Sequence, residues 1–492
     1  MRSLLPLALA ALLLAAGCSK DKDVEQPATL VEFPQTLAVK KLWGEDVGGG
    51  KKQMVQRLGL GPAVDNGVVF AASDKGEVVA SQLDTGHRVW LKKLKLPLSA
   101  GPSAGAGMVV LGSSKGIVVA LDGATGRELW RTGLNSELLS APAITEKAVV
   151  LRSVDGRLHG IDAHNGKELW AVEQQVPRLS LRGTATPIIA KEVAISGFDN
   201  GKVMAVSLNT GDTLWDTALA SPHGRTELDR LVDVDSAVRV VGDNVFATGF
   251  QGRTAMLALD SGQIWWAHDM SSYRGLAVDD DNLYVTQSDG IIVALRQRDG
   301  SELWRSDKLK LRRLTTPVLT STAVVVADFQ GYLHWLDKTT GKLVARQRVA
   351  KKELISNAPV AAGDTVVVLT DRGKMVAYRA TPGAAVPSGA SKVPGVGKAK
   401  PPKAPKAPKA PKAPKGAKAA PAAATGAPAS AAPAAAPATP AAPAAEPAAP
   451  PAEPAATPPA QPATPPAQPA TPPAQPATPP AATPPATPAP TP

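Results

Sequence analysis

"LDGATGRELW" occupies residues 121–130, and close variants recur as "IDAHNGKELW" at 161–170 and "LNTGDTLW" at 208–215. Each phrase reads as the end of one strand, a tight turn closed by glycine, and the start of the next strand. Asp-Gly, Asn-Gly and Thr-Gly steps between runs of Val, Ile and Leu are hairpin signals. Aligning the chain on the glycine before each third strand gives Gly76, Gly116, Gly156, Gly201, Gly252, Gly290, Gly331 and Gly373. The intervals are 40, 40, 45, 51, 38, 41 and 42 residues. In the third unit the four segments are "SAPAIT", "AVVLRSV", "RLHGID" and "KELWAVE". A four-stranded unit of about 40–45 residues matches a propeller blade, and one blade cannot cover both of its faces. The spacing therefore predicts an all-β, eight-bladed β-propeller of four-stranded antiparallel blades.

Two further marks fit that ring. Pro62, Pro102, Pro142, Pro187, Pro317 and Pro359 follow Gly, Ala or Thr at the first strand of their units. Proline cannot donate to a ladder, so it suits the free edge of an innermost strand. Trp90, Trp130, Trp170, Trp215, Trp266 and Trp304 each stand four residues after a turn glycine, where a large ring can fill the wedge between neighbouring blades. Ala345 takes that place in the seventh unit. The eighth unit stops after "KMVAYR", and "KKLWGED" at 40–46 supplies a strand from the other end, so the N-terminal strand is expected to close the ring.

The ends are of other kinds. "MRSLLPLALAALLLAAGCSK" has one Arg, a short apolar run and small residues before Cys18, the pattern of a secretory signal over 1–17. The run is shorter than the ~20 residues that span a bilayer. Ala15-Ala16-Gly17-Cys18 resembles a bacterial lipobox, with Ala15 where Leu is usual, and it implies lipidation of Cys18, a linker over 18–35 and outer-membrane sorting through Ser19. More than one acyl chain suffices for stable attachment. The propeller is expected over 36–380. Residues 381–492 are mostly Ala, Pro, Lys and Thr, with no apolar cluster to offset ordering entropy, and read as a disordered tail. Lys403, Lys406, Lys409, Lys412 and Lys415 would line one edge of a polyproline II rod of about 3 residues per turn. The sevenfold-spaced "PPAQPAT" mimics a heptad, but its prolines forbid a helix.

Composition excludes several functions. One cysteine leaves no disulfide framework and no Cys-based zinc site. The formal charge of +11 is uneven: the tail carries nine Lys against two Glu, and Arg2 belongs to the signal, so residues 19–380 hold only +3. That balance and the secretion signal argue against nucleic-acid binding. The six His show no metal-ligand spacing, and His159 and His334 read as packing or surface residues within strands.

"ALDGATGRELW" at 120–130 resembles the tryptophan-docking repeat of pyrroloquinoline quinone (PQQ) dehydrogenases. The chain from about 18 to 380 is more similar to the non-enzymatic lipoprotein branch, the family of the outer-membrane protein assembly factor BamB. "VPRLSLRGTATP" (176–187) and "RLVDVDSAV" (230–238) resemble segments of that family and lie in the two longest intervals. Read by themselves, Leu179 and Leu181 alternate with Ser180 and share a face if extended, with Arg182 beside them, and Asp233 and Asp235 also alternate. The competing reading packs the Leu pair under its own loop and uses the Asp pair to cap turns. The resemblance implies that these five residues contact the periplasmic POTRA repeats of BamA, with nascent outer-membrane barrel chains as a further partner and a lipid-anchored place at the periplasmic face. A PQQ enzyme of the resembling type needs a catalytic Asp, a Ca²⁺ site and often a cysteine pair over the cofactor. The lone Cys18 and the ligand-poor first strands argue against it, so no catalytic residue, cofactor or metal is expected. The alternative to the BamA scaffold is a lipid-anchored propeller for another envelope partner or polymer, and the enzyme comes third.

Overall fold

The computed structural model describes residues 25–48, 59–181, 183–351 and 353–384. The signal, Cys18, Arg182 and all but the first few residues of the tail lie outside the described residues.

Among the described residues all 32 regular elements are strands, arranged as eight four-stranded antiparallel sheets. Blade one runs Ala63–Asp65, Val68–Ala72, Glu77–Gln82 and Arg88–Lys93 from the axis outward. Blades two to seven repeat this order, and their outermost strands are Glu128–Gly133, Glu168–Glu173, Thr213–Ala218, Ile264–Asp269, Glu302–Ser306 and Leu343–Arg348. The innermost strands are mostly two or three residues long, and successive ones pack against each other around the axis. Middle strands such as Val109–Leu111 and Val118–Leu121 are wholly buried, because a neighbouring blade covers each face of a sheet. The eighth sheet orders Val360–Ala362, Thr365–Leu369, Lys374–Thr381 and then Ala38–Asp46, with Ala38 opposite Thr381 and Asp46 opposite Lys374. The N-terminal strand thus closes the ring, as "KKLWGED" predicts.

The repeated tryptophan works across the blade boundary. Its indole Nε1 donates to a backbone carbonyl of the next blade: Trp43 to Leu83, Trp90 to Gly123, Trp130 to Ala163, Trp170 to Leu208, Trp215 to Leu259, Trp266 to Gln297 and Trp304 to Lys338, all at 2.7–2.9 Å. The ring lies flat on the next blade's turn glycine. A Cβ on Gly126 would stand 2.8 Å from Trp90, and one on Gly166 would stand 2.6 Å from Trp130. Both glycines also have φ near +70°, a region that costs a side chain energy (φ 70 and 75). In all eight outermost strands one residue bulges out of register immediately before the tryptophan position, as Leu129 does between Glu128 and Trp130. A bulge bends the strand and disrupts pairing at an exposed edge.

At the junction of blades seven and eight there is no turn glycine to receive an indole, since the last outer strand comes from the N-terminus. Ala345 therefore occupies the slot. Buried Trp335, Tyr378 and Leu37 fill the space instead. Residues 25–35, expected as a linker, pack along blade seven: Ala28 N–H donates to Lys310 O at 2.9 Å, and Thr36 and Leu37 N–H donate to Val344 O at 2.9 and 3.1 Å. A buried network clamps them. Asp328 accepts from Arg312 Nε and Nη2 and from His334 Nε2 at 2.7–2.9 Å, and His334 Nδ1 accepts from Arg346 Nε at 3.0 Å. The remaining guanidinium donors reach the strap, Arg312 to Ala28 O at 2.9 Å and Arg346 to Val31 O at 3.0 Å.

Candidate functional site

The strand order fixes where long loops appear. Connections from an outermost strand to the next innermost strand all emerge on one face, and the Thr-Gly and Asn-Gly turns emerge on the other. Two long connections, 174–187 and 219–238, are neighbours on the first face, entering blades four and five.

They are fastened to each other. Leu181 N–H donates to Asp233 Oδ2 at 3.2 Å. Asp233 pairs through its backbone with Phe250, and Val234 N–H donates to Phe198 O at 3.1 Å. Val234 and Val238 enter the core between blades four and five. The segment is thus wedged between two blades, and it takes its carboxylates with it. Asp233 is fully buried and Asp235 nearly so. A Cβ at Gly183 would collide with the Asp235 carboxyl. Burial pushes the Asp233 carboxyl up to about 8, the charges of Asp235 and Asp199 push the same way, and Arg152 opposes them. Arg152 is itself buried, pairs with Asp199 and lies 4.6 Å over the Phe198 ring.

The five residues singled out by sequence therefore divide. Asp233 and Asp235 share one neighbourhood, but as buried supports of the loops and not as surface charges, because the wedge between blades draws them inward. Leu179 is exposed, at 40%, while Leu181 is half-buried above Asp233. Val176 on the same loop is exposed as well. Arg182 lies outside the described residues.

One surface residue escaped the sequence reading. Leu228 is 69% exposed, the most of any large apolar side chain among the described residues. It sits in a reciprocal turn: Asp229 N–H donates to Thr226 Oγ1 and Thr226 N–H donates to Asp229 Oδ2, both at 3.1 Å. "TELD" at 226–229 carries that signal, a hydroxyl and an acid three apart. Of the two strand histidines, His334 belongs to the buried clamp. His159 is buried between Ser153 Oγ at 2.9 Å and Glu168 at 2.7 Å. Among the described residues no group of three or more His, Cys, Asp or Glu is placed to hold a metal ion.

An eight-bladed ring locked by docking indoles, with one face elaborated by paired loops, defines a propeller of the PQQ-like class. A family model described as the outer membrane protein assembly factor BamB matches residues 74–306 and 288–388. The chain belongs to the BamB family. The assembly factor BamB of Pseudomonas aeruginosa is 47% identical over 377 residues, 76% of this chain and 97% of that protein. That of Kangiella koreensis is 41% identical over 360 residues, 73% of this chain and 92% of the relative. Among solved structures, BamB from Moraxella catarrhalis aligns with a TM-score of 0.62 at 24% identity, over 70% of this chain and all of that one. A europium-containing methanol dehydrogenase aligns with a TM-score of 0.57 at 13% identity, over 69% of this chain and 93% of that one. These two structural likenesses are of fold alone. The sequence relatives carry the name of an assembly factor, not of an enzyme.

Proposed function

We propose that this chain is a non-catalytic, lipid-anchored scaffold of outer-membrane protein assembly that holds the POTRA repeats of BamA on its loop face. Leu179 and Leu181 supply the apolar anchor, Arg182 the charged donor, and Leu228 extends the apolar surface. Asp233 and Asp235 act from beneath by fixing the loop backbone. The observation that carries this reading is an exposed Leu179 on a loop pinned through the Leu181–Asp233 hydrogen bond. A preorganised apolar anchor costs less ordering entropy on binding than a floppy one. Family membership sets the biological context. Cys18 would tether the scaffold to the outer membrane at its periplasmic face.

Affinity purification from solubilised envelope tests the reading: BamA is expected to co-isolate with the tagged chain. Recovery of another envelope protein or polymer in its place would favour the alternative scaffold. The anchor is tested separately by intact mass, where acyl chains on Cys18 are expected and a free thiol refutes the lipoprotein assignment.

A further inference from the structure

The loop face has an opening at its centre. A cavity of about 350 Å³ lies on the axis where the connections enter the innermost strands. Such a volume falls within the range of small-ligand pockets, roughly 300–1,000 Å³. Three of its lining residues come from three consecutive sectors of the ring: Ser140 enters blade three, Thr184 enters blade four, and Arg239 opens the innermost strand of blade five.

Their chemistry is incomplete without a ligand. Ser140 and Thr184 are 4% and 6% exposed, and neither hydroxyl has a hydrogen-bond partner. Both residues line the cavity while their hydroxyl oxygens are sealed beside it; buried polar atoms in native proteins are nearly always paired, so a turn about χ1 toward the cavity would pair each with an occupant. The Arg239 guanidinium makes one hydrogen bond, from Nη1 to Val238 O at 3.2 Å. Burial alone pulls its pKa down, with no charged neighbour contributing. Arg274, on the next sector, adds a second guanidinium to the lining, against one carboxyl, that of Asp235. Two cations, one acid and unpaired hydroxyls favour an anion over a metal ion. A guanidinium forks onto two oxygens in one plane, which matches a carboxylate, and a hydroxyl can donate to either oxygen.

We propose that the axial cavity is a carboxylate-binding site, with Arg239 as its cation and Ser140 and Thr184 as its neutral donors. The carboxylate belongs either to an acidic side chain of the protein docked on the loop face or to a free organic acid. Only the first source rests on the proposed BamA contact, since Gly183, Thr184 and Asp235 of the candidate loops line the mouth.

Trifluoroacetate is the probe, because its fluorine resonance broadens on binding. The purified full chain is expected to broaden it saturably, and succinate is expected to reverse the effect. Arg239→Gln should weaken binding about tenfold or more, as expected for losing a charged hydrogen-bond partner. Arg313→Gln, an exposed control outside the cavity lining, should match wild type. If Arg239→Gln lowers the melting temperature, Ser140→Ala combined with Thr184→Val replaces it, with loss of broadening again expected. Binding of BamA POTRA repeats to the same variants separates the sources. A parallel loss there, with competition by succinate, assigns the carboxylate to the partner. Unchanged POTRA binding assigns it to a free acid. Broadening that is absent in wild type, or equal in wild type and both cavity variants, overturns the site and leaves a water-filled cavity.

Discussion

The docking indole carries most of the information at the scale of single residues. Trp170 fills an inter-blade wedge, caps Gly211 and donates to Leu208 O at 2.7 Å. Trp170→Ala should therefore cost ~3–5 kcal/mol, the range for removing a large buried aromatic, read as a drop in the denaturant midpoint. An exposed Trp265→Ala is the control and should change little. This role was legible, because a turn glycine four residues upstream fixes where the ring points. The burial of Asp233 was not, because it depends on how two blades close around 232–238. Its consequence is a pH effect. A carboxyl raised from 3.8 in the unfolded chain to about 8 in the folded state contributes stability at low pH that is lost as pH rises toward 8. Asp233→Asn keeps an acceptor for Leu181 N–H and removes the titration. Melting curves from about pH 4 to about pH 8, the window between the two pKa values, should show the variant gaining on wild type as pH rises. Parallel curves would refute the assignment.

Elements divide into those whose signal is local and those whose signal is not. Hairpins announce themselves through Asp-Gly and Asn-Gly steps, so blade count and strand order followed from spacing. Both candidate loops stood out as long intervals, and "TELD" held a readable turn. The strap of residues 25–35 has no repeat to align with, and its order comes from Arg312 and Arg346, 284 and 315 residues from the carbonyls they reach. Its side chains nonetheless matter: Leu30 is buried between blades six and seven, Gln35 against blade seven, and Leu37 at the junction of blades seven and eight. Arg346→Met should loosen the strap, since Val31 O and His334 Nδ1 each lose a donor. Amide exchange over residues 26–36 is expected to quicken at least tenfold, while exchange in blades two to four stays unchanged. Uniform quickening throughout would contradict a local clamp.

The described blades form a ring closed by one non-covalent seam. Blades one to seven are each continuous in sequence, and only the eighth joins the two ends of the fold. Deleting residues 36–46 should therefore lower the melting temperature far more than deleting 385–492, for the first removes the closing strand and exposes the Lys374–Thr381 edge. Equal melting temperatures would contradict closure by that strand. The ring also separates its duties. The clamped strap packs against blades six and seven, and the candidate loops enter blades four and five.

The proposed contact with BamA is an exposed apolar anchor on a prefastened loop of the loop face. The most direct measurement is the affinity of purified BamA POTRA repeats for wild type and for Leu179→Ala/Leu181→Ala, alongside thermal melts of both. Hot-spot truncation costs ~2 kcal/mol or more per residue, so affinity should fall at least thirtyfold (about 2 kcal/mol). Arg182→Glu should add a further loss by reversing a charge. That loss is expected with a melting temperature nearly unchanged in Leu179→Ala, whose side chain is exposed, and only slightly lowered in the double variant, because Leu181 is half-buried. Retained POTRA affinity with a lowered melting temperature would show the Leu pair to be loop core and would contradict the claim.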